Sequence, residues 1–223
     1  MKIGILGGGS VGQTIGSRLI ALGHQVQIGV RNPSDAELAK PRNQGVPLAE
    51  WVAKTGGGVA SFADAAGFGE MVFNVTSGDG AVAAVTAAKG GIGGKILVDV
   101  SNPLDFSRGF PPTILPAYAA GVSLGEAVQA AVPEARVVKA FNTIAATMIV
   151  DPGQVVGAHD LLIAGNDAGA KAEVVALARS FGWQNFVDLG DISGAGATEH
   201  YLPLILRLFS TLKTAAINIR VVH

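Results

Sequence analysis

The residues best suited by type and spacing to do chemistry are three glycines near the start of the chain. Gly7, Gly9 and Gly12 have the spacing GxGxxG between the first apolar run and an apolar helical pattern. Gly7 permits a tight turn, Gly9 lets backbone approach a pyrophosphate, and Gly12 allows close helix–strand contact. We therefore expect a dinucleotide-binding turn, although a glycine-rich turn that only joins a strand to a helix would look similar.

Ser10 and Val11 open the helix that follows. A helix N-terminus offers unpaired N–H groups and a partial positive charge to phosphates. We expect both residues at the phosphate site. The Ser10 hydroxyl could contact phosphate or act as a helix N-cap.

A cation follows the second apolar run, QVQIGV, where NAD enzymes of this type carry an acid. Arg31 stands there, flanked by Val30, Asn32 and Pro33. A guanidinium can pair with the 2′-phosphate of NADP, whereas a carboxylate would repel it. The position favours NADP(H) over NAD, and the alternative is a solvated arginine in a loop.

The elements that must position these residues alternate between short apolar runs and longer helical patterns, as in an α/β fold with a doubly wound parallel sheet. The sequence predicts eight strands and four helices before a last helix over 198–222. The predicted strands are 3–6, 26–30, 59–61, 71–75, 96–100, 137–140, 161–164 and 186–188. The predicted helices are 11–22, 80–89, 124–132 and 168–181.

Composition narrows the function classes. The net charge of −1 gives no electrostatic footprint for nucleic acid, and no uncharged apolar run reaches a membrane-spanning length. The chain has no cysteine and no His–Glu metal spacing, so we expect no metal site. The N-terminus lacks a signal-peptide pattern, which favours a cytoplasmic location.

Several motifs together resemble the F420-dependent NADP oxidoreductases and the related reductase domains of STEAP-type metalloreductases. They are GILGGGSVGQTIGSRLIALGHQVQIGVRNP, DVSNPL, VVKAFNTI and EHYLPLILRL. The resemblance implies a homodimer with an N-terminal Rossmann domain at 1–150 and a small C-terminal part at 151–223, ending in a long helix at the dimer or acceptor site. It also implies hydride transfer between NADPH and a deazaflavin (coenzyme F420) or a flavin-like acceptor.

The same resemblance assigns roles to further residues. Val30, Arg31, Asn32 and Pro33 would hold the 2′-phosphate end, and Thr76 and Ser77 would lie where the cofactor crosses the sheet. The stretch at 139–144 resembles the family segment that faces the nicotinamide and the acceptor ring. Its expected cofactor contacts are Ala140, Phe141, Asn142 and Thr143, and the residues expected at the reacting rings are Asn142 and Ile144.

Other interpretations stay open. The 139–144 residues could instead cap the next helix. His200 could donate a proton, although helix-terminal residues such as His200 and Glu199 are commonly exposed. The protein could reduce a small carbonyl or imine compound, or it could be a non-catalytic NADP(H) sensor. The sequence has no recognisable catalytic triad. Hydride transfer needs little covalent help from side chains, so this absence does not argue against a reductase.

Overall fold

The computed structural model describes residues 1–42 and 45–222, which form one large sheet covered by helices on both faces. The strands are β1 (Lys2–Leu6), β2 (Gln25–Val30), β3 (Gly58–Ser61), β4 (Met71–Asn74), β5 (Ile96–Asp99), β6 (Leu104–Asp105), β7 (Thr113–Ile114), β8 (Arg136–Ala140), β9 (Asp160–Gly165) and β10 (Asn185–Asp188). The helices are α1 (Ser10–Ala21), α2 (Asp35–Leu38), α3 (Leu48–Thr55), α4 (Phe62–Phe68), α5 (Gly78–Ala87), α6 (Lys89–Ile92), α7 (Leu124–Ala131), α8 (Ala146–Val150), α9 (Ala168–Phe181) and α10 (Gly194–Leu212). Pro116–Tyr118 and Pro152–Gln154 form short 3₁₀ turns.

Eight strands form the main sheet in the order β10-β9-β8-β5-β4-β1-β2-β3. All neighbours run parallel except β8 and β9, so the last two strands point opposite to the other six. The remaining strands, β6 and β7, form a separate antiparallel hairpin. The eight predicted strands and the Rossmann-type doubly wound fold are confirmed. The division at residue 150 stays a prediction, and β9 and β10 belong to the same sheet as β1.

The sheet is apolar on both faces because helices cover both. Along β5, Ile96 and Val98 pack into one apolar cluster with α1, α3, α8 and α9, whereas Leu97 packs into the other with α5, α7 and α10. Alternate side chains of a strand point to opposite faces, so each central strand supplies both halves of the core.

The sheet places one crevice where ligands bind in such folds. The chain leaves β1 toward β2 and β3 and then returns to β4 on the other side of β1. This reversal is a topological switch point, and the crevice lies at the carboxyl ends of β1 and β4.

The predicted extent of the last helix, 198–222, is wrong at both ends. Helix α10 starts at Gly194 and ends at Leu212, and Lys213 has a φ of 57° in the left-handed region that terminates helices. The following tail lies against the start of β9, where the Asp160 N–H donates to the Ile219 carbonyl (2.8 Å) and the Val221 N–H donates to the Asp160 carboxylate (2.6 Å). An apolar pattern alone cannot separate a helix from such an extended tail.

Candidate functional site: a two-compartment cleft

The glycine turn follows directly from the fold of β1 into α1. Gly7 has a φ of 121°, and a Cβ on Gly12 would lie 2.1 Å from the Gly7 carbonyl oxygen. Both positions therefore need glycine for the turn itself. A Cβ on Gly9 would meet nothing within 4 Å, so the absence of a side chain there leaves open space.

A cleft runs along the carboxyl edge of the sheet in two compartments. The first compartment, of about 570 Å³, is lined by Gly7, Gly9, Val30, Arg31 and Asn32 among others. The second compartment, of about 610 Å³, begins at Val11 and extends to the loop after β5. Val75, Thr76 and Ser77 line both compartments, so they form a waist between them.

Two arginines line the far end of the first compartment, and we call this pair the arginine end. Arg31 is exposed, and Arg42 reaches the same space from beyond α2. The Nε and Nη2 atoms of Arg42 are buried and have no hydrogen-bond partner. Such nitrogens are costly to bury alone, and an anion would satisfy them.

One carboxylate shares this end of the cleft. Glu37 lines the first compartment and pairs with Lys40 at 2.6 Å. The hydrogen bond from Lys40 lowers the pKa of Glu37, and the charges of Lys40 and Arg42 add to this, while burial opposes the shift without reversing it. Glu37 is therefore ionised at neutral pH.

The second compartment has a different lining. Val11, Val100, Leu104, Phe106 and Leu115 make much of its wall, and Phe106 is 59% exposed. Its charged lining residues are the carboxylates of Asp79 and Asp105. The β6–β7 hairpin borders this compartment through Asp105, Phe106 and the neighbouring Leu115.

Of the predicted contacts around 140–144, none lines either compartment. The nearest connection is through Asn102, which lines the second compartment. The Asn102 side chain donates to the Asn142 carbonyl (2.7 Å), and the Asn142 side chain donates to the Asn102 Oδ1 (3.0 Å). Asn142 therefore fixes the side chain of Asn102 without lining the compartment itself.

The other predicted residues lie around this wall and around the turn. Ala140, Phe141 and Thr143 are buried, and Ile144 packs half-buried against the core. Pro33 and Ser10 lie beside the first compartment's lining residues in sequence without lining it, and Gly9, not Ser10, is the N-cap of α1. The binding roles of all these residues stay predictions.

A buried charged cluster lies behind the second compartment, and we call it the lysine cluster. The Lys139 ammonium contacts Asp99 and Glu199, each at 2.8 Å, and all three side chains are fully buried. Burial alone lowers the pKa of Lys139, but the two carboxylates outweigh it and raise that pKa above its ordinary value. The ammonium therefore stays charged.

Backbone amides also bind Glu199, in addition to Lys139. Its carboxylate accepts the backbone N–H groups of Leu124 and Gly125, both at 2.9 Å, at the start of α7. The expectation that Glu199 is exposed is wrong, because these two amides and Lys139 satisfy it inside the protein. His200, the next residue, is exposed and contacts the Gly196 carbonyl of its own helix.

Sequence reasoning left out the lysine cluster, and it considered Arg42 only as a residue that could assist Arg31, without counting it among the site residues. Arg42 lies in an irregular loop with no motif around it. For the cluster a signal existed, since Lys139 and Asp99 interrupt or end apolar strands that can only be buried. A charge in such a strand is rarely buried unless it is paired.

The fold, the switch-point cleft and the glycine turn define a dinucleotide-binding protein of the Rossmann class. The model of the family described as "NADP oxidoreductase coenzyme F420-dependent" matches residues 2–103. A solved structure from Arthrobacter sp. FB24, described as a candidate F420-dependent NADP reductase, is 46% identical, with full coverage of both chains and a TM-score of 0.92. The chain therefore belongs to the F420-dependent NADP oxidoreductase family, among the NADP-dependent oxidoreductases.

Two curated relatives are more distant. The F420-dependent NADP reductase of Methanocaldococcus jannaschii is 29% identical over 100% of this chain and 99% of its own length. Metalloreductase STEAP3 of Rattus norvegicus is 29% identical over 89% of this chain but only 36% of its own length. This chain thus matches about a third of the metalloreductase. Within residues 1–42 and 45–222, no helix has both the length and the apolar character needed to cross a membrane.

Proposed function

We propose that this protein transfers a hydride between NADPH and a deazaflavin (coenzyme F420) or a flavin-like acceptor. The observation that carries the proposal is the arginine end of the first compartment. Two guanidinium groups lie there, and two Arg42 nitrogens are buried without a partner. A 2′-phosphate supplies the acceptor oxygens that such nitrogens require.

The residues along the cleft fit NADP(H) in order. The open space at Gly9 admits a pyrophosphate against the backbone at the start of α1, with Arg31 and Arg42 at the adenosine end. Val30, Asn32 and Pro33 flank that end, and Gly7 and Gly12 shape the turn. The nicotinamide half would then pass Thr76 and Ser77 into the second compartment.

When bound, NADPH supplies the hydride, and the chain supplies position and dryness. The apolar wall from Val11 to Leu115 would exclude water from the second compartment. Asn142 would act through Asn102, whose side chain it fixes by two hydrogen bonds. We assign Ile144 and the buried residues Ala140, Phe141 and Thr143 to the support of this wall.

A second candidate acceptor is a small imine or carbonyl compound. Asp79 and Asp105 are the charged residues that line the second compartment. The hydrogen bonds from Ser107 lower the pKa of Asp105 despite the opposing effect of burial, and Arg108 adds to the lowering, so this carboxylate is ionised at neutral pH. Carboxylates favour a cationic acceptor such as an iminium over an anionic one.

The test is to mix the purified protein with NADPH and, in separate reactions, with F420, FMN, FAD, a cyclic imine or a ferric chelate, and to follow the nicotinamide absorbance. Rapid oxidation of NADPH by F420 or a flavin supports the proposal. Oxidation by the imine alone supports the second candidate. If NADPH binds but no acceptor takes its hydride, the protein is a sensor and the proposed reaction is wrong.

The homodimer and the cytoplasmic location are further proposals. In support of the homodimer, Leu204, Phe209 and Leu212 on α10 are each more than 40% exposed. An apolar helix face of this kind commonly forms a dimer seam. Light scattering of the purified protein should give twice the chain mass, and Leu212→Asp should shift it toward the monomer.

A further inference from the structure

Two adjacent hydroxyl side chains at the waist of the cleft differ in what they can offer a ligand. The Thr76 hydroxyl donates to the Asn74 Oδ1 at 2.7 Å, and the Thr76 backbone N–H points at the same oxygen at 3.4 Å. A hydroxyl has one proton, so Thr76 has only oxygen lone pairs left. Ser77 makes no side-chain bond to the helix that it caps, and its hydroxyl can donate or accept.

The direction of the Thr76 hydrogen bond is imposed from inside the protein. The Asn74 side-chain NH₂ donates to the Asp99 Oδ1 at 2.9 Å, which turns the amide oxygen toward Thr76. An ionised carboxylate accepts hydrogen bonds and donates none, so the reversed amide would be repelled by Asp99. Asn74 therefore has one orientation.

The lysine cluster holds Asp99 as an acceptor of hydrogen bonds, which the orientation of Asn74 requires. Lys139 donates to the Asp99 Oδ2 at 2.8 Å, and the Ser101 hydroxyl donates to Oδ1 at 2.7 Å. Both groups donate to the Asp99 carboxylate and neither accepts from it. The hydrogen bonds therefore all point the same way: Thr76 donates to Asn74, and Asn74 donates to Asp99. Thr76 is the member of this series that lines the cleft.

We propose that Thr76 is a specificity-determining residue that accepts a hydrogen bond from a donor group on the nicotinamide half of the cofactor, and that Asn74 and Asp99 are positioning residues which fix this polarity. The proposal rests on NADP(H) binding in the cleft. The donor is the carboxamide N–H or a ribose hydroxyl, since these are the donor groups of that half. A phosphate oxygen gains nothing from Thr76, whereas Ser77 can donate to it.

The experiment compares NADPH affinity in three variants, each of which changes a single group of one side chain. Thr76→Val removes the acceptor and should weaken NADPH roughly three- to tenfold, the effect of one hydrogen bond. Thr76→Ser retains the hydroxyl and should bind within about twofold of the wild-type protein. Ser77→Ala is the matched control, because it removes the neighbouring hydroxyl, which is not held in one polarity.

The 3-acetylpyridine analogue of NADPH, in which a methyl group replaces the carboxamide NH₂, identifies the donor. If Thr76→Val weakens NADPH but not the analogue, the carboxamide is the donor. If it weakens both equally, while Ser77→Ala does not change the ratio of the two affinities, a ribose hydroxyl is the donor. Equal NADPH affinity of the wild-type protein and Thr76→Val overturns the proposal.

The role of Asn74 is tested by a double-mutant cycle. Asn74→Ala frees the Thr76 hydroxyl to rotate, so Asn74→Ala should weaken NADPH in the wild-type background and have no further effect in Thr76→Val. Additive losses would show that Asn74 acts independently of Thr76 and would overturn its positioning role. Circular dichroism confirms that each variant is folded. Wild-type protein that fails to bind NADPH would instead refute the proposed function.

Discussion

The arginine end and the lysine cluster are both groups of charges beside the same cleft, but they are built in opposite ways. Arg31 is exposed, and Arg42 has nitrogens without partners. Lys139, in contrast, is fully buried between two carboxylates. Charges that keep free hydrogen-bonding capacity can bind a ligand, whereas charges that are fully paired fix the position of their neighbours.

The same contrast holds for two glycines of the turn. Gly12 is packed against the Gly7 carbonyl, and Gly9 faces open space. Gly12 is thus needed by the fold, and Gly9 is needed by whatever approaches the backbone. The following predictions test this division between residues of the fold and residues of the ligand site.

The largest expected effect is on the lysine cluster. Lys139→Met should lower the free energy of unfolding by about 3–5 kcal/mol, because it leaves two buried carboxylates without their cation. Denaturant unfolding followed by circular dichroism measures this loss. The matched control is Lys40→Met, which breaks an exposed ion pair and should leave the transition unchanged. Equal unfolding midpoints for Lys139→Met and the wild-type protein would contradict the assigned structural role.

The cluster also predicts a pH dependence. The folded-state pKa of Lys139 is raised, so its contribution to stability is complete below the pKa of an ordinary lysine. That contribution is lost as the pH rises through the folded-state value. The stability difference between the wild-type protein and Lys139→Met should therefore stay constant from neutral to mildly alkaline pH. A difference that shrinks already near neutral pH would mean that Lys139 is not held as the ammonium.

An intermediate effect is expected at the glycines. Gly12→Ala should cost about 1–3 kcal/mol of stability, because its Cβ would overlap backbone. Gly9→Ala should leave stability unchanged and weaken NADPH roughly tenfold or more, since the methyl group occupies the space of the pyrophosphate. Thermal unfolding and NADPH titration of both variants separate the two roles. Loss of stability in Gly9→Ala with normal NADPH affinity would reverse the assignment.

The smallest effect is expected at Glu37. Its carboxylate lies beside the arginine end and opposes a phosphate there. Glu37→Gln should tighten NADPH by about two- to fivefold at low salt, and less at high salt, where exposed charges are screened. NADH should bind equally well to both proteins. A tightening for NADH of the same size would show that the effect does not come from the 2′-phosphate.

The sequence predicts the local parts of this molecule well and the non-local parts poorly. Gly7, Gly9, Gly12 and Arg31 belong to one strand–turn–helix–strand unit, so their spacing alone fixes their place. The eight strands were found because each is a short apolar run. Helix α10 was misplaced because apolar residues continue beyond Leu212 into a tail that hydrogen-bonds to Asp160 at the start of β9, a partner that no local pattern indicates.

The lysine cluster needed knowledge of strand order. Asp99 and Lys139 are 40 residues apart and meet because β5 and β8 are neighbours, and Glu199 arrives from α10. The sequence shows that Asp99 and Lys139 lie in apolar segments, but it does not show that they are close together. Arg42 was left out of the predicted site for a similar reason, since only the folded loop brings it to the compartment that Arg31 lines.

The central claim is that the arginine end binds the 2′-phosphate of NADP(H), and Arg31→Asp tests it most directly. Titration of the wild-type protein and the variant with NADPH and with NADH measures the four affinities. The account predicts that the variant loses roughly ten- to hundredfold in NADPH affinity, the effect of a charge-assisted hydrogen bond, with little change for NADH. Equal losses for both nucleotides would show that Arg31 does not contact the additional phosphate.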